Sequence, residues 1–259
     1  MKFCRFSTNA SGANGASYGV FEGDAIREIS GVPWGEWSKA TRVTPLKDCH
    51  FLAPVAPSKI VCIGRNYAAH AAELGNEMPA YPLMFLKPPS SIIGPSEAIV
   101  LTKYSEQIEH EGELGVVIGK KCAHLTDDED PLAYVFGYTC LNDVTARDLQ
   151  KRDVQFTRAK GFDTFCPVGP HIETKLDPRD VLVETRVNGE LRQSGNTSLM
   201  GFDVVFLIRY VSRIMTLLPG DLLATGTPAG VGPLAAGDVV EVSLSGVGVL
   251  RNPVHAPLS

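Results

Sequence analysis

Residues 109–113 read Glu-His-Glu-Gly-Glu and lead directly into Leu-Gly-Val-Val-Ile. No other segment restricts the fold of this chain so tightly. An apolar run with β-branched residues belongs in a buried strand, and successive side chains of a strand point to opposite faces. Glu109, Glu111 and Glu113 are therefore expected on one face, with His110 and Gly112 on the other. Two carboxylates ~6 Å apart repel by roughly 0.7 kcal/mol in bulk water and roughly 3 kcal/mol at an effective dielectric of ~20. A strand entering a core tolerates this if its end is solvated, or if a cation sits between the carboxylates. Donor sets made only of oxygen suit Mg²⁺, Mn²⁺ or Ca²⁺. Taken alone, these residues leave both readings open.

A chain of 259 residues allows one large domain, or a main domain with a small appendage. The formal charge is −5 and no Lys/Arg cluster stands out, which argues against nucleic-acid binding. An anionic substrate would need locally placed cations. The six cysteines are widely and irregularly spaced without a C-x-x-C, against a zinc knuckle or a disulfide framework and for buried thiols in a reducing compartment. The first 18 residues lack an apolar signal-peptide core, and no apolar run reaches ~18 residues. The expected location is the cytoplasm, with no membrane contact, where the sequons at Asn9 and Asn196 carry no meaning.

Short strands are expected at residues 3–6 and 18–21, joined by a Gly/Asn/Ser turn. Gly31-Val-Pro-Trp34 and the polar residues after it read as loop and short helix. The prolines of Ala53-Pro-Val-Ala-Pro57 make a stiff, extended link. They divide the chain into a small N-terminal domain, 1–55, and a main domain, 56–259. Beyond the link, a strand at 59–63 runs into Gly64-Arg-Asn-Tyr67 and a short helix over 68–74, stopped by Gly75-Asn76. Further strands are expected at 84–86, 107–119 and 132–141, then a helix over 144–152. Asn188-Gly189 signals a hairpin. Apolar spacing predicts an amphipathic helix over 204–217, followed by strands at 222–225, 239–244 and 247–250. Strands dominate, so the fold class is α+β rather than a doubly wound sheet.

Several short motifs admit a chemical and a plain reading. Gly115-Val-Val-Ile-Gly-Lys-Lys is one residue short of a phosphate loop and lacks the following Ser/Thr. Gly226-Thr-Pro-Ala-Gly-Val-Gly232 is either a surface turn or a tight loop presenting backbone N–H groups and Thr227 to an anion. Arg65 can hold a carboxylate by two prongs or form a surface ion pair. His70 and Glu73, at i,i+3, share a helix face as an oriented general base or a surface contact. Asp143 is either a helix N-cap or a third oxygen ligand. Lys160, beside Gly161, either neutralises a growing oxyanion or is simply solvated. No G-x-S-x-G elbow occurs, so a serine hydrolase of the α/β type is not indicated.

In order, the chain reads Gly-Arg-Asn-Tyr-x-x-His-x-x-Glu, Glu-Gly-Glu-Leu-x-Val-Val-Ile-Gly, Asn-Asp-x-x-Ala-Arg-Asp-x-Gln, Lys-Gly-Phe-Asp-Thr and Gly-Thr-Pro-x-Gly-Val-Gly. Over residues 57–255 this series resembles the fumarylacetoacetate hydrolase family. The resemblance implies a mixed β-sandwich roll with a short N-terminal domain, and a homodimer. It implies Mg²⁺ (or Mn²⁺) held by Glu111, Glu113 and Asp143, with Glu109 outside the ligand pattern. His70 and Glu73 match the family's catalytic dyad, carried on a mobile lid. Lys160, Gln150 and Thr164 match active-site positions, and Arg65 and Thr227 match residues near the substrate.

The activity so implied is hydrolysis of a C–C bond in a small 2-oxo or 1,3-dicarbonyl acid of the acylpyruvate or fumarylpyruvate type. The alternatives are an isomerase or decarboxylase of the 2-hydroxyhepta-2,4-diene-1,7-dioate type, an oxaloacetate decarboxylase or tautomerase, and a non-catalytic 2-oxo acid binder. A dicarboxylate substrate needs a second cation, for which Arg65, Arg147 and Arg158 are candidates.

Overall fold

The computed structural model describes residues 1–8 and 15–257. Most of the turn expected between the first two strands, and the Asn9 sequon, lie outside the described residues. The fold is strand-dominated α+β, as its sequence pattern requires. Its largest sheet runs, neighbour by neighbour, through Trp37–Pro45, Ala25–Gly31, Ser17–Glu22, Lys2–Ser7, Cys166–Glu173, Val135–Asn142, Gly112–Ile118, Leu222–Ala224, Ile60–Gly64 and Leu83–Lys87. The N-terminal strands therefore continue the main sheet, through the pairing of Lys2 with Glu173 and Phe3 with Ile172. A second sheet contains Glu190–Asn196, Leu182–Val187, Val239–Leu244, Gly248–His255 and Ile99–Val100. Both sheets are mixed, since Leu222–Ala224 runs parallel to Ile60–Gly64 and Gly248–His255 parallel to Ile99–Val100.

The strand Gly112–Ile118 is buried on both faces, which is why its apolar run is continuous rather than alternating. Leu114, Val116 and Ile118 pack against Val183, Val242 and Leu244 of the second sheet and against Val204, Leu207, Ile208 and Val211 of a helix. Val117 faces the other way, into a cluster with Ile60, Cys62, Leu141, Cys166 and Val168. Glu113 shares the parity of Val117. The carboxylates consequently emerge on the face turned away from the second sheet, where Lys87 and Lys160 approach.

The carboxylate strand is not continuous over 107–119. Ile108–His110 belongs to a small third sheet, and pairing with the main sheet begins only at Gly112. The break falls at Glu111, whose N–H donates to the Asn142 side chain at 2.9 Å and whose carbonyl accepts from the Asp143 N–H at 2.8 Å.

Other boundaries differ for similar local reasons. The strand expected at 132–141 starts at Val135, after a 3-10 turn Pro131–Tyr134 that Asp130 caps. The helix expected from 144 starts at Arg147, because Thr145–Ala146 pairs with Ile108–Glu109. The amphipathic helix is Val204–Ser212, capped by Asp203. It stops short of 217 because Leu217 exchanges backbone hydrogen bonds with Cys122. The polar stretch after Trp34 contains no α-helix. It is the edge strand Trp37–Pro45, whose outward side chains leave no apolar pattern to read.

Asp221 fastens the Pro-rich link to the sheet. This buried carboxylate accepts from the Ser58 N–H and hydroxyl, the Lys59 N–H and ammonium, and the Leu218 N–H. Truncation to Ala removes the acceptor that these donors, on exposed Ser58 and Leu218 and half-buried Lys59, share. Asp221→Ala should cost about 1.5–3 kcal/mol, read as a fall in Tm on the order of 5 °C in a thermal melt.

His171, packed edge-on against Phe21 at the junction with the N-terminal strands, is pushed down from 6.5 to about 4, first by burial and then by Lys2. The unfolded chain therefore takes up this proton at a higher pH than the folded one. Stability should be complete above about 6.5 and fall progressively as pH drops toward 4. A urea titration series across that range should show the acid limb shrink in His171→Phe.

Candidate metal and catalytic centre

Three elements converge on the carboxylates. The strand Gly112–Ile118 and the break before it deliver Glu113 and Glu111. The end of Val135–Asn142 delivers Asp143, and the short helix Thr157–Lys160 delivers Lys160. Glu111, Glu113 and Asp143 are buried, and one oxygen of each lies within 4.8 Å of the others. Glu111 and Glu113 line a cavity of about 500 Å³, together with Arg65, His70, Arg147, Gln150, Lys160 and Thr227, and with Leu74, Leu83, Phe85, Val154 and Phe156 as apolar wall.

Cations surround the cluster. Lys160 Nζ donates to Glu111 Oε2 at 2.8 Å and Asp143 Oδ2 at 2.6 Å, and lies 5.0 Å from the centre of the Phe85 ring. Lys87, wholly buried, donates to Asp143 Oδ1 at 2.6 Å and to the Val144 carbonyl at 3.1 Å. Arg147 donates from Nε to Glu109 at 2.7 Å, from Nη2 to Glu111 at 2.5 Å and from Nη1 to Gln150 at 2.5 Å.

Four carboxylates thus face three cations, and one negative charge is unmatched. The imbalance falls on Glu113. Burial, then the charges of Asp143 and Glu111, hold its carboxyl well above the usual range. Burial acts the same way on Glu111, but Lys160 and Arg147 outweigh it and hold that carboxyl low. Three converging buried carboxylates with an excess of negative charge fit a hard divalent cation. Glu111, Glu113 and Asp143 are the residues that would hold it.

The remaining expected residues divide. His70 is buried on the cavity wall, with Nδ1 3.3 Å from Glu73 Oε2, and Glu73 accepts from the Gly230 N–H at 3.0 and 3.2 Å. A proton on Nδ1 facing the carboxylate leaves Nε2 as the base. Gln150 lines the cavity beside Arg147. Thr227 also lines it, but its hydroxyl already donates to the Gly112 carbonyl at 2.8 Å and accepts from Gln193 at 2.7 Å. Arg65, half-buried at a φ of 55°, lines the cavity with no ion pair among the described residues. Thr164 does not line it, and its hydroxyl accepts from the Val100 N–H at 2.9 Å. Arg158 is tied to Asp153 at 2.6 Å in solvent. Asp143 caps no helix; each of its carboxylate oxygens accepts from one lysine, which leaves lone pairs for a cation.

Two contributors were not singled out from the sequence as parts of the site. Lys87 is the last residue of the strand Leu83–Lys87, on the same face as the cavity-lining Phe85. A lysine on the inward parity of an apolar strand is the signal that marks it. Gln193 sits mid-strand in Glu190–Asn196 of the second sheet and has no such marker.

Residues 59–255 match the family model described as Fumarylacetoacetate (FAA) hydrolase C-terminal, and residues 1–54 the model described as Rv2993c-like, N-terminal. Over 240 residues the chain is 42% identical to oxaloacetate tautomerase YisK of Bacillus subtilis, covering 85% of this chain and 79% of YisK. The crystal structure of 5-carboxymethyl-2-hydroxymuconate delta-isomerase from Mycobacterium smegmatis is similar with a TM-score of 0.89 and 43% identity, covering 99% of this chain and 100% of that one. Maleylpyruvate hydrolase from Sphingobium sp. SYK-6, in complex with manganese(II) ion and pyruvate, is similar with a TM-score of 0.81 and 32% identity, covering 100% of both chains.

Two expectations follow from the charge balance. Lys87→Met leaves one Asp143 oxygen unpaired in the interior and should cost about 3–5 kcal/mol in a denaturant titration. A ligand carboxyl must shed its proton to take a cation. Because Glu113 holds its proton well above the ordinary range, Mn²⁺ affinity should rise with pH by up to about tenfold per unit below that group's pKa. Calorimetric titration between pH 5.5 and 8 measures the slope, and Glu113→Gln should flatten it.

Proposed function

The chain belongs to the fumarylacetoacetate hydrolase family of enzymes, and from that premise we propose that it interconverts the keto and enol forms of a small 2-oxo dicarboxylate, with oxaloacetate as the substrate. The observation that carries this reading is Arg65. It is a half-buried cation on the cavity wall without an anionic partner among the described residues, whereas Arg147 and Lys160 are committed to carboxylates and Lys151, also unpaired there, is exposed to solvent. A second carboxylate on the substrate would give it a charge-assisted partner. The name of YisK supports the same reaction class.

The residues act as follows. Glu111, Glu113 and Asp143 would hold Mg²⁺ or Mn²⁺, which when bound would supply Lewis-acid polarisation of a 2-oxo group. Arg65 pairs with the distal carboxylate and fixes which carbon faces His70. His70 Nε2 takes the proton from the carbon between the carbonyl and the distal carboxylate. Glu73 orients the ring and stabilises the imidazolium that results. Lys160 offsets the negative charge that grows on the carbonyl oxygen. His70 then returns the proton to that oxygen, and the reverse sequence regenerates the ketone. One proton moves and no water is consumed.

A second reading has its own support. The cavity of about 500 Å³ lies in the range that accommodates drug-sized ligands, more room than a four-carbon acid requires. The same His70–Glu73 pair could activate water for C–C hydrolysis of an acylpyruvate, the chemistry named for the Sphingobium neighbour.

Decay of enol oxaloacetate absorbance, with and without EDTA, tests the leading reading. Catalysis should need the divalent ion, and His70→Ala should lower kcat by about 10²–10⁴-fold. Arg65→Ala should raise KM for oxaloacetate roughly tenfold or more, leaving monocarboxylic substrates nearly unchanged. Metal-dependent cleavage of acetylpyruvate without any acceleration of oxaloacetate enol decay would establish the hydrolase reading instead.

A further inference from the structure

Gln193 lies in the strand Glu190–Asn196, wholly buried, and every hydrogen-bonding capacity of its amide is used. Nε2 donates to the Pro228 carbonyl at 2.7 Å and to Thr227 Oγ1 at 2.7 Å. Oε1 accepts from the Gly112 N–H at 3.0 Å and faces His110 Nδ1 at 3.0 Å. These partners fix the amide's orientation. A carbonyl can only accept and a backbone N–H can only donate, so the nitrogen must face Pro228 and the oxygen must face Gly112. His110 then carries its proton on Nδ1.

The two ends of this amide hold different halves of the site. Gly112 separates the carboxylates Glu111 and Glu113. Thr227 and Pro228 belong to the loop 226–232, whose Gly226 N–H donates to Glu113 at 2.8 Å and whose Gly230 N–H holds both oxygens of Glu73. The loop is also seated sterically on this strand. Gly230 has a φ of +101°, and a Cβ there would lie 2.0 Å from the Arg192 carbonyl oxygen. Gly112 is held independently by its pairing with Asn142. The loop also reaches Gly112 directly, through Thr227 Oγ1 donating to its carbonyl at 2.8 Å, and Gln193 orients that hydroxyl while holding the Pro228 carbonyl.

We infer that Gln193 is a positioning residue that sets the His70–Glu73 pair relative to the carboxylate triad by clamping the loop 226–232 to the strand carrying Glu111 and Glu113. It touches no substrate. Its effect runs from its amide to Pro228 and Thr227, along the loop to Gly230, and from the Gly230 N–H to the Glu73 carboxylate that orients His70. This assignment rests on His70 and Glu73 being the proton carrier proposed above.

The test uses the full chain with Mn²⁺ and two neutral variants. Gln193→Met keeps the length but has no amide. Gln193→Asn is one methylene too short to reach both sides. Amide exchange in 226–232 and 68–74 should quicken about tenfold in both variants. The kcat for oxaloacetate should fall about 10–100-fold, as for the loss of a residue that orients a catalytic group. Mn²⁺ affinity and KM should change less than about threefold, since the ligand strand keeps its ladder. Parent-like exchange and kcat would overturn the proposal. So would Mn²⁺ affinity falling in step with kcat, or loss of folding in both variants, either of which assigns Gln193 to the scaffold. Exchange and Mn²⁺ binding need no substrate, so they judge Gln193 even if oxaloacetate is the wrong acid.

Discussion

Four carboxylates brought together out of water are the constraint around which this molecule is arranged. Moving an ion into a protein interior costs several kcal/mol even after relaxation. Glu109, Glu111, Glu113 and Asp143 would not remain charged side by side without compensation. Lys87, Arg147 and Lys160 supply it, each from a different element, and each is itself buried. The short helices at 147–152 and 157–160 and the end of the strand Leu83–Lys87 sit where they do because their cations must reach the cluster. The compensation stops one charge short, and the shortfall falls on Glu113. That residual negative charge is what suits the cluster to a divalent cation.

The two faces of one strand separate chemistry from support. On the side of Glu113 the sheet meets lysines and cavity. On the side of Gly112 it meets the second sheet, where a Cβ on Gly112 would lie 2.1 Å from Thr185 Oγ1. The glycine between Glu111 and Glu113 thus answers to packing behind the site. The Asn188–Gly189 hairpin provides both Thr185 and Gln193, so a surface turn 45 or more sequence positions from any carboxylate of the triad sets how closely the second sheet backs the strand Gly112–Ile118.

Much of the site was legible from the order of its motifs. Glu111, Glu113 and Asp143 converge, His70 meets Glu73, and Lys160 bridges two of the carboxylates, each from residue types whose chemistry is written in the side chain. What escaped is instructive. Lys87 looked like the end of a strand, because nothing local says that Asp143 waits across the fold. Thr164 shares a motif with Lys160, yet its hydroxyl is used by Val100 outside the cavity wall. The edge strand Trp37–Pro45 hid because an edge exposes most of its side chains and erases periodicity. The break at Glu111 hid because it is made by the Asn142 side chain, a partner 31 positions away.

By itself the sequence determined the class of fold, the buried strand at 112–118, the hairpin at Asn188–Gly189 and the acidic, basic and imidazole groups available for chemistry. These depend on period, turn geometry and side-chain type, all of which are local. Only the tertiary structure decided which charges neutralise one another, that Glu109 is spent on Arg147, and that Arg65 alone of the candidate arginines stands free on the cavity wall. Charge pairing depends on distance across the fold, and distance across the fold is not a local property of the chain.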